Sequence, residues 1–192
     1  MQYLMKGPVL PLSPDMVLGI TGHRPNKLGG YNDATNRSTA IKAILRTIYA
    51  QSNPSCVVSG MALGVDQWAA EVALDRGINI LALIPCAGQD AMWPEESKKK
   101  YAELLDRIMQ AHGSVEYVST QSYKPELQQM QKRNQAIVDC STHIFAVWDR
   151  SWGGTGSCVR LAKKAAKPIT ILHPTTMRLV TLEPPDYKEP EV

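Results

Sequence analysis

A glycine-rich segment late in the chain has the residue types and spacing of a phosphate-binding turn. Trp152 and then Gly153-Gly154-Thr155-Gly156-Ser157 stand between an apolar run at 144–148 and a helical pattern from Val159 to Ala166. A helix start presents unpaired backbone N–H groups and a partial positive charge. Glycine has no Cβ, so a phosphate can approach those groups closely. The segment therefore predicts a phosphate cradle, with a plain tight turn as the alternative.

Such a cradle needs a sheet edge to position it, and the chain alternates strand and helix patterns throughout. Short apolar runs that suit buried parallel strands occur at 16–21, 56–59, 78–84, 115–118, 144–148 and 169–172. Helical patterns lie between them, as where Ile41, Ile44, Leu45 and Ile48 share one helix face. The alternation predicts an α/β fold with a mostly parallel sheet and helices on both faces.

Capping signals and composition predict the boundaries. Asp66 suits the N-cap of a helix that ends at Gly77, and Thr155 or Gly156 suits the start of the helix after the glycine turn. The last ten residues are polar and proline-rich, which favours loose attachment. We therefore expect an N-terminal extension at 1–15, one nucleotide-binding domain at 16–175 and a tail at 176–192.

Ligands of open α/β sheets bind beyond the carboxyl ends of the strands, so the residues that follow the predicted strands are the candidate site. Glycine-containing turns follow the first, second and fifth strands, which favours a ligand of nucleotide size at this edge. The candidates that these strand ends supply are Gly22, His23, Arg24, Ser59, Gly60, Gly64, Asp66, Asp149, Trp152, Gly153, Gly154, Thr155 and Gly156.

Each polar or aromatic candidate has a structural alternative. Arg24 could pair with phosphate or be an exposed loop arginine, and His23 could touch a ligand or be structural. Asp66 could hold a ribose hydroxyl instead of capping a helix. Arg133-Asn134 lies within a helical pattern, where a solvated face is the simpler interpretation. Trp152 could belong to the core or stack on a base.

Composition limits the class of protein. The 192 residues fit one domain, and the net charge of +3 argues against nucleic acid as a partner. No run approaches the roughly 18 apolar residues of a membrane span, and no signal peptide is recognisable. The four cysteines are widely spaced and the histidines lack metal-ligand spacing, so we expect a cytoplasmic protein with free thiols, no metal and no cofactor. Neither the P-loop nor the dinucleotide-binding glycine pattern is present.

Three motifs together resemble a known family. Ser59-Gly-Met-Ala-Leu-Gly-Val-Asp66, followed by Gln67-Trp68-Ala69-Ala70, is similar to the strand–loop–helix of the SLOG superfamily, which includes the DprA/Smf proteins and the Lonely Guy enzymes. Thr21-Gly-His-Arg-Pro25, Arg133-Asn134 and Gly153-Gly-Thr155 resemble its YpsA-like branch of bacterial and phage proteins. The resemblance covers about 16–172. It implies a Rossmann-like three-layer sandwich, self-association as a homo-oligomer and a nucleotide-derived ligand.

One departure from the Lonely Guy enzymes affects the expected chemistry. Those enzymes read P-G-G-x-G-T-x-x-E, and the glutamate serves cleavage of the base–ribose bond. Here the glycine turn is followed by Ser157-Cys158-Val159-Arg160, without a carboxylate. Cleavage of a glycosidic bond usually needs one. We therefore expect binding without catalysis, and name no catalytic residue.

The favoured function is binding of an ADP-ribose-like or cyclic ADP-ribose-like molecule, as a sensor or sequestering protein in phage or host defence. The enzyme alternative is a nucleotide N-glycosidase or phosphoribohydrolase in which Asp66 or Asp149 replaces the glutamate. The third alternative is a DprA-like module for single-stranded DNA, against which the low net charge argues.

Overall fold

The computed structural model describes residues 15–31 and 35–187, and in them seven strands form a single sheet. The strands are β1 (Val17–Gly22), β2 (Cys56–Ser59), β3 (Asn79–Ile84), β4 (Ser114–Tyr117), β5 (His143–Val147), β6 (Ile169–Leu172) and β7 (Leu179–Leu182). The α-helices are α1 (Asn36–Ser52), α2 (Val65–Leu74), α3 (Glu95–Gln110), α4 (Gln129–Cys140) and α5 (Gly154–Lys164).

The strand order is β4-β3-β2-β1-β5-β6-β7. From β1 the chain adds strands on one side of the sheet as far as β4, and it adds β5, β6 and β7 on the other side of β1. Every neighbouring pair is parallel except β6 and β7, which are antiparallel. The crevice beyond the carboxyl ends of β1 and β5 is therefore the topological switch point, where open α/β sheets bind ligands. This arrangement confirms the predicted Rossmann-like α/β fold.

Two hydrophobic clusters, one on each face of the sheet, hold the helices in place. Side chains of α1, α2 and α3, such as Leu45, Trp68 and Ile108, belong to one cluster. Those of α4 and α5, such as Ile137 and Val159, belong to the other. The sheet is thus the middle layer of three. None of the described helices is long and apolar enough to cross a membrane.

The sheet extends past residue 175, where the sequence suggested a tail. β7 pairs with β6 from Ile169↔Leu182 to Leu172↔Leu179, and the Tyr187 hydroxyl donates a hydrogen bond to the Lys167 carbonyl. Four half-buried residues at a sheet edge leave only a weak apolar pattern, which explains why the sequence did not reveal this strand. Residues 1–14 and 188–192, most of the expected extension and the end of the tail, lie outside the described residues.

Two predicted helix starts are wrong by one or two residues. The N-cap of α2 is Gly64, at φ 95°, so Asp66 lies inside the helix and does not cap it. An ideal Cβ at Gly64 would lie 2.7 Å from the His23 carbonyl oxygen, which is why the chain turns there on a glycine. α5 begins at Gly154, before the predicted Thr155 or Gly156.

Candidate functional site

A cavity of about 310 Å³ lies at the switch point, beyond the carboxyl ends of β1 and β5. Segments that follow β1, β2 and β5 surround it, together with one side of α4. It collects most of the residues singled out in the sequence. Those that line it are Gly22, His23, Arg24, Asp66, Arg133, Asn134, Trp152, Gly153, Gly154 and Thr155.

The N-terminus of α5 opens into this cavity. Its N-cap residue is Gly153, at φ 145°, and no side chain of the described residues caps the helix. An ideal Cβ at Gly153 or Gly154 would meet nothing within 4 Å. Lys163 and Lys164 occupy the last turn, where they complement the negative end of the helix dipole. The first N–H groups of α5 are therefore available to an anion.

Arg133 and Asn134 connect α4 to two loops of the site. The Arg133 Nη1 atom donates to the Gly60 carbonyl at 2.6 Å, and its Nε donates to Asn134 Oδ1 at 3.1 Å. Asn134 Nδ2 in turn donates to the Gly154 carbonyl, also at 3.1 Å. Arg133 is only 8% exposed, so the interpretation as a solvated helix face is wrong. The pair fixes the β2–α2 loop relative to the start of α5.

Asp66 is the carboxylate beneath the cavity. It is 4% exposed, its Oδ2 lies 3.5 Å from Arg133 Nη1, and it accepts the Ala62 N–H at 3.3 Å. Burial raises the pKa of Asp66 to about 6, because desolvation outweighs the attraction of Arg133 and the backbone hydrogen bonds. The side chain is thus committed to the protein's own contacts.

His23 and Asp149 form a second polar link, between β1 and β5. The His23 Nε2 atom lies 2.7 Å from Asp149 Oδ1, which also accepts the Ser151 N–H at 2.9 Å. Burial raises the pKa of Asp149, but its hydrogen bonds with Ser151 and His23 outweigh this effect and hold the pKa below its usual range. Burial lowers the pKa of His23, against the pull of Asp149. The Asp149 N–H also approaches His23 Nε2, at 3.3 Å, so both the carboxylate and the backbone of Asp149 hold the imidazole ring in place.

The outer rim of the cavity carries cations and an exposed indole. The Arg24 side chain is exposed, and its guanidinium forms no hydrogen bond or ion pair with the described residues. The Lys27 Nζ atom donates to Ser151 Oγ at 2.5 Å and approaches the Trp152 carbonyl oxygen at 3.4 Å. Trp152 is 85% exposed, which excludes the interpretation as a core residue.

The remaining predicted residues lie near the cavity without lining it. Ser59 accepts the Met61 N–H and donates to the Asp66 carbonyl, so it shapes the β2–α2 loop from within. Gly60 lies against Arg133, Gly64 against His23, and Gly156 against the Trp148 ring. Asp149 forms hydrogen bonds with His23 and Ser151, which line the cavity. These five residues therefore stabilise the loops around the cavity without facing it.

Comparison with known proteins settles the family. The model of the YspA SLOG family (YpsA) matches residues 18–181. The chain belongs to the YspA SLOG family. Its relatives include the SPbeta prophage-derived protein YoqJ of Bacillus subtilis (strain 168), 30% identical over 69% of this chain and 84% of that protein. A UPF0398 protein of Bacillus thuringiensis (strain Al Hakam) is 25% identical over 82% of this chain and 87% of its own length.

Solved structures show that this SLOG protein shares the fold of DNA processing protein A. The Helicobacter pylori protein, described for its single-stranded DNA binding mode, aligns with a TM-score of 0.60 at 24% identity over 83% of this chain. The Streptococcus pneumoniae protein aligns at 0.54 and 15% identity over 82% of this chain. The chain spans 66% of the first structure and 50% of the second.

This likeness corrects one expectation from the sequence. The net charge of +3 was taken to argue against nucleic acid as a partner, yet a protein with this fold is described by its binding of single-stranded DNA. Net charge averages over the whole surface, whereas phosphate binding depends on a local group of N–H donors and cations. The expectation was therefore wrong. The predicted self-association stays a prediction, since the structure describes one chain.

Sequence reasoning missed several residues that line the cavity at the switch point. Thr21 and Ala62 lie inside the quoted motifs but were not chosen as site residues. The other four lie near the motifs without a pattern of their own, and are Asn26, Lys27, Met130 and Ser151. Lys27 had one usable signal, because it follows Thr21-Gly-His-Arg-Pro25 within a short turn at the end of β1. Any cation in that turn lies at the switch point.

Proposed function

We propose that this SLOG protein binds a nucleotide-derived small molecule, with a phosphate of the ligand at the N-terminus of α5. The observation that carries the proposal is the uncapped glycine start of that helix, which opens into a cavity of about 310 Å³. An anion there would accept hydrogen bonds from backbone N–H groups and gain from the helix dipole. The volume is at the lower end of the range for small-molecule sites.

Two cations on the rim support a phosphorylated ligand. The exposed guanidinium of Arg24 has its donors unused by the described residues, and Lys27 lies across the cavity mouth on Ser151. A guanidinium can bind a phosphate with two parallel hydrogen bonds. Two cations and a helix start together suit a diphosphate better than a neutral ligand. ADP-ribose and its cyclic form are the ligand class that we favour.

The carboxylates near the cavity favour binding over cleavage. Among the described lining residues the carboxylate is Asp66, which is buried against Arg133 and the Ala62 N–H. Asp149 is held by His23 and Ser151. Cleavage of a glycosidic bond needs a carboxylate free to stabilise a cationic sugar. We therefore propose that the protein senses or sequesters its ligand, and similarity to a prophage-derived protein supports a phage setting.

Isothermal titration calorimetry tests the proposal with ribose 5-phosphate, AMP, ADP-ribose and cyclic ADP-ribose. Gly154→Val places side-chain atoms where the phosphate would lie, and should weaken binding by about 1–3 kcal/mol, the value of a charged hydrogen bond. The matched control is Ala165→Val, an exposed position at the other end of α5. Wild-type protein that binds none of these ligands, or a Gly154→Val variant with unchanged affinity, would overturn the proposal.

Chromatography of the same mixtures separates binding from catalysis. We expect each nucleotide to be recovered intact after the protein is heat-denatured. Free base or ribose phosphate released over many turnovers, and abolished by Asp66→Asn or Asp149→Asn, would instead support the glycosidase alternative.

Single-stranded DNA is a second candidate, favoured by the shared fold with the Helicobacter pylori protein. A phosphodiester would meet the same N–H groups and rim cations as a nucleotide. Binding of a fluorescent oligonucleotide should then fall steeply with salt, because phosphate contacts release counterions. Its loss in Gly154→Val would place DNA at this cavity, whereas unchanged DNA binding would place it elsewhere on the surface.

A further inference from the structure

Trp152 stands out among the exposed apolar side chains. The large hydrophobic residues that are exposed in the described parts of the chain are Tyr31, Met92, Met109, Tyr117, Tyr123 and Trp152. Of these, Trp152 is the one that lines the cavity at the switch point. An indole that is 85% exposed at the rim of a cavity has an apolar ring and a polar N–H in water, and Trp is enriched at interfaces for that reason.

Trp152 makes one contact through its backbone and one through its ring. Its carbonyl oxygen lies 3.4 Å from Lys27 Nζ, and the next residue is Gly153, the N-cap of α5. The Arg160 guanidinium lies 5.1 Å from the centroid of the indole ring. The Arg160 side chain also forms a hydrogen bond within α5, in which its Nη2 atom donates to Ser157 Oγ at 2.9 Å. A cation over one face of the ring leaves the opposite face open to a second planar group.

We infer that Trp152 is the base-stacking residue of this site: the base of a nucleotide stacks on the indole outside the cavity while its phosphate lies at the start of α5. The inference rests on the proposed function and names the ligand class more closely. Because Trp152 directly precedes the glycine cap and both line the cavity, we place the base and the phosphate of one nucleotide on these two groups. The base lies at the rim and the sugar phosphate inside.

This arrangement determines what the site can distinguish. Stacking uses the π-face that every base has, and does not read the hydrogen-bonding edges that differ between bases. The stacking contact therefore accepts any base, with purines ahead of pyrimidines because their larger rings cover more of the indole. A sugar phosphate without a base still binds, more weakly.

Calorimetry with three probes tests the inference: AMP, UMP and ribose 5-phosphate. In wild-type protein the order of affinity should be AMP, UMP and then ribose 5-phosphate. In Trp152→Ala, the ratio of the AMP affinity to the ribose 5-phosphate affinity should fall about 5- to 150-fold, the measured range for removal of one stacking side chain. Trp152→Phe keeps a ring and should retain most of the ratio.

The matched control is Tyr123→Ala, which removes another exposed aromatic side chain away from the cavity and should leave the ratio unchanged. Melting temperatures confirm that each variant is folded. A ratio unchanged in Trp152→Ala, or AMP bound no more tightly than ribose 5-phosphate by wild type, would overturn the inference and leave the proposed function standing. Wild-type protein that binds none of the three probes would overturn the inference, and would overturn the proposed function as well if ADP-ribose and cyclic ADP-ribose also fail to bind.

Discussion

Two glycine turns meet at the same edge of the sheet, and they differ in what occupies the space that the glycines leave. The turn after β2 is filled by the protein: an ideal Cβ at Gly60 would lie 1.7 Å from Arg133 Nη1. The turn after β5 is open, because Cβ atoms at Gly153 and Gly154 would meet nothing within 4 Å. The glycines after β2 make room for the guanidinium of Arg133, and those after β5 leave space that a ligand can occupy.

The difference shows what glycine spacing in a sequence does and does not reveal. Both turns follow a buried strand and precede a helix, so both suggest a close approach to backbone. In the turn after β2, which we call the closed turn, the approaching group is Arg133, which lies 73 residues further along the chain than Gly60. Only the three-dimensional structure separates a close approach by the chain itself from one reserved for a ligand.

The largest expected effect comes from Gly60→Ala, and its counterpart in the turn after β5 is Gly154→Ala. Gly60→Ala displaces the buried Arg133 guanidinium from Gly60 and Asp66, and breaking a buried ion pair costs about 3–5 kcal/mol. Gly154→Ala should change the free energy of unfolding by less than about 1 kcal/mol, since its φ is negative and its surroundings are empty. Urea denaturation measures both. Equal losses in the two variants would remove the distinction between the turns.

The next effect concerns the charge buried in the closed turn. Because the pKa of Asp66 is about 6 in the folded protein and 3.8 as its ordinary value, the folded state binds this proton more tightly than the unfolded chain. The contribution of Asp66 to stability is therefore greatest below about pH 4 and declines as the pH rises through 6. The decline amounts to at most about 3 kcal/mol, at 1.4 kcal/mol per pKa unit.

Asp66→Asn removes that titration and leaves the other ionisable groups in place. The free energy of unfolding of the variant, minus that of wild type, should rise between pH 4 and pH 6.5. Urea denaturation at half-unit intervals of pH measures this difference. A flat difference would mean that the carboxylate is not buried as described, and that the turn after β2 is more open than its geometry indicates.

The smallest effect comes from the link between the turns. Asn134→Ala loses the hydrogen bonds to Arg133 Nε and the Gly154 carbonyl, and should reduce the free energy of unfolding by about 2 kcal/mol, about 1 kcal/mol for each bond. We expect a several-fold loss of AMP affinity as well, because the start of α5 is less firmly held. The control is Gln135→Ala, an exposed neighbour that bonds within α4 to Asp139. Unchanged affinity in Asn134→Ala would show that α5 keeps its position unaided.

The fold was largely predictable, because six apolar runs mark six of the seven described strands and glycine marks the turn at β5. The hydrogen bonds and ion pairs inside the site could not be predicted from the sequence. Arg133 stands among polar residues in Met130-Gln131-Lys132-Arg133-Asn134, a pattern typical of a solvated helix. Its partners Gly60 and Asp66 are distant in the chain, and burial of an arginine leaves no periodic signal. β7 was missed for a similar reason, since an edge strand is half-buried on both faces.

The central claim is that the N-terminus of α5 is the phosphate-binding group of this SLOG protein. The most direct measurement is a titration with AMP followed by ¹H–¹⁵N correlation spectra of the wild-type chain. We expect the largest amide shifts at Gly154, Thr155 and Gly156, with smaller shifts at Gly60 and Gly64 in the closed turn. Saturable shifts centred on Gly60 and Gly64, with the amides of 154–156 unmoved, would contradict the account.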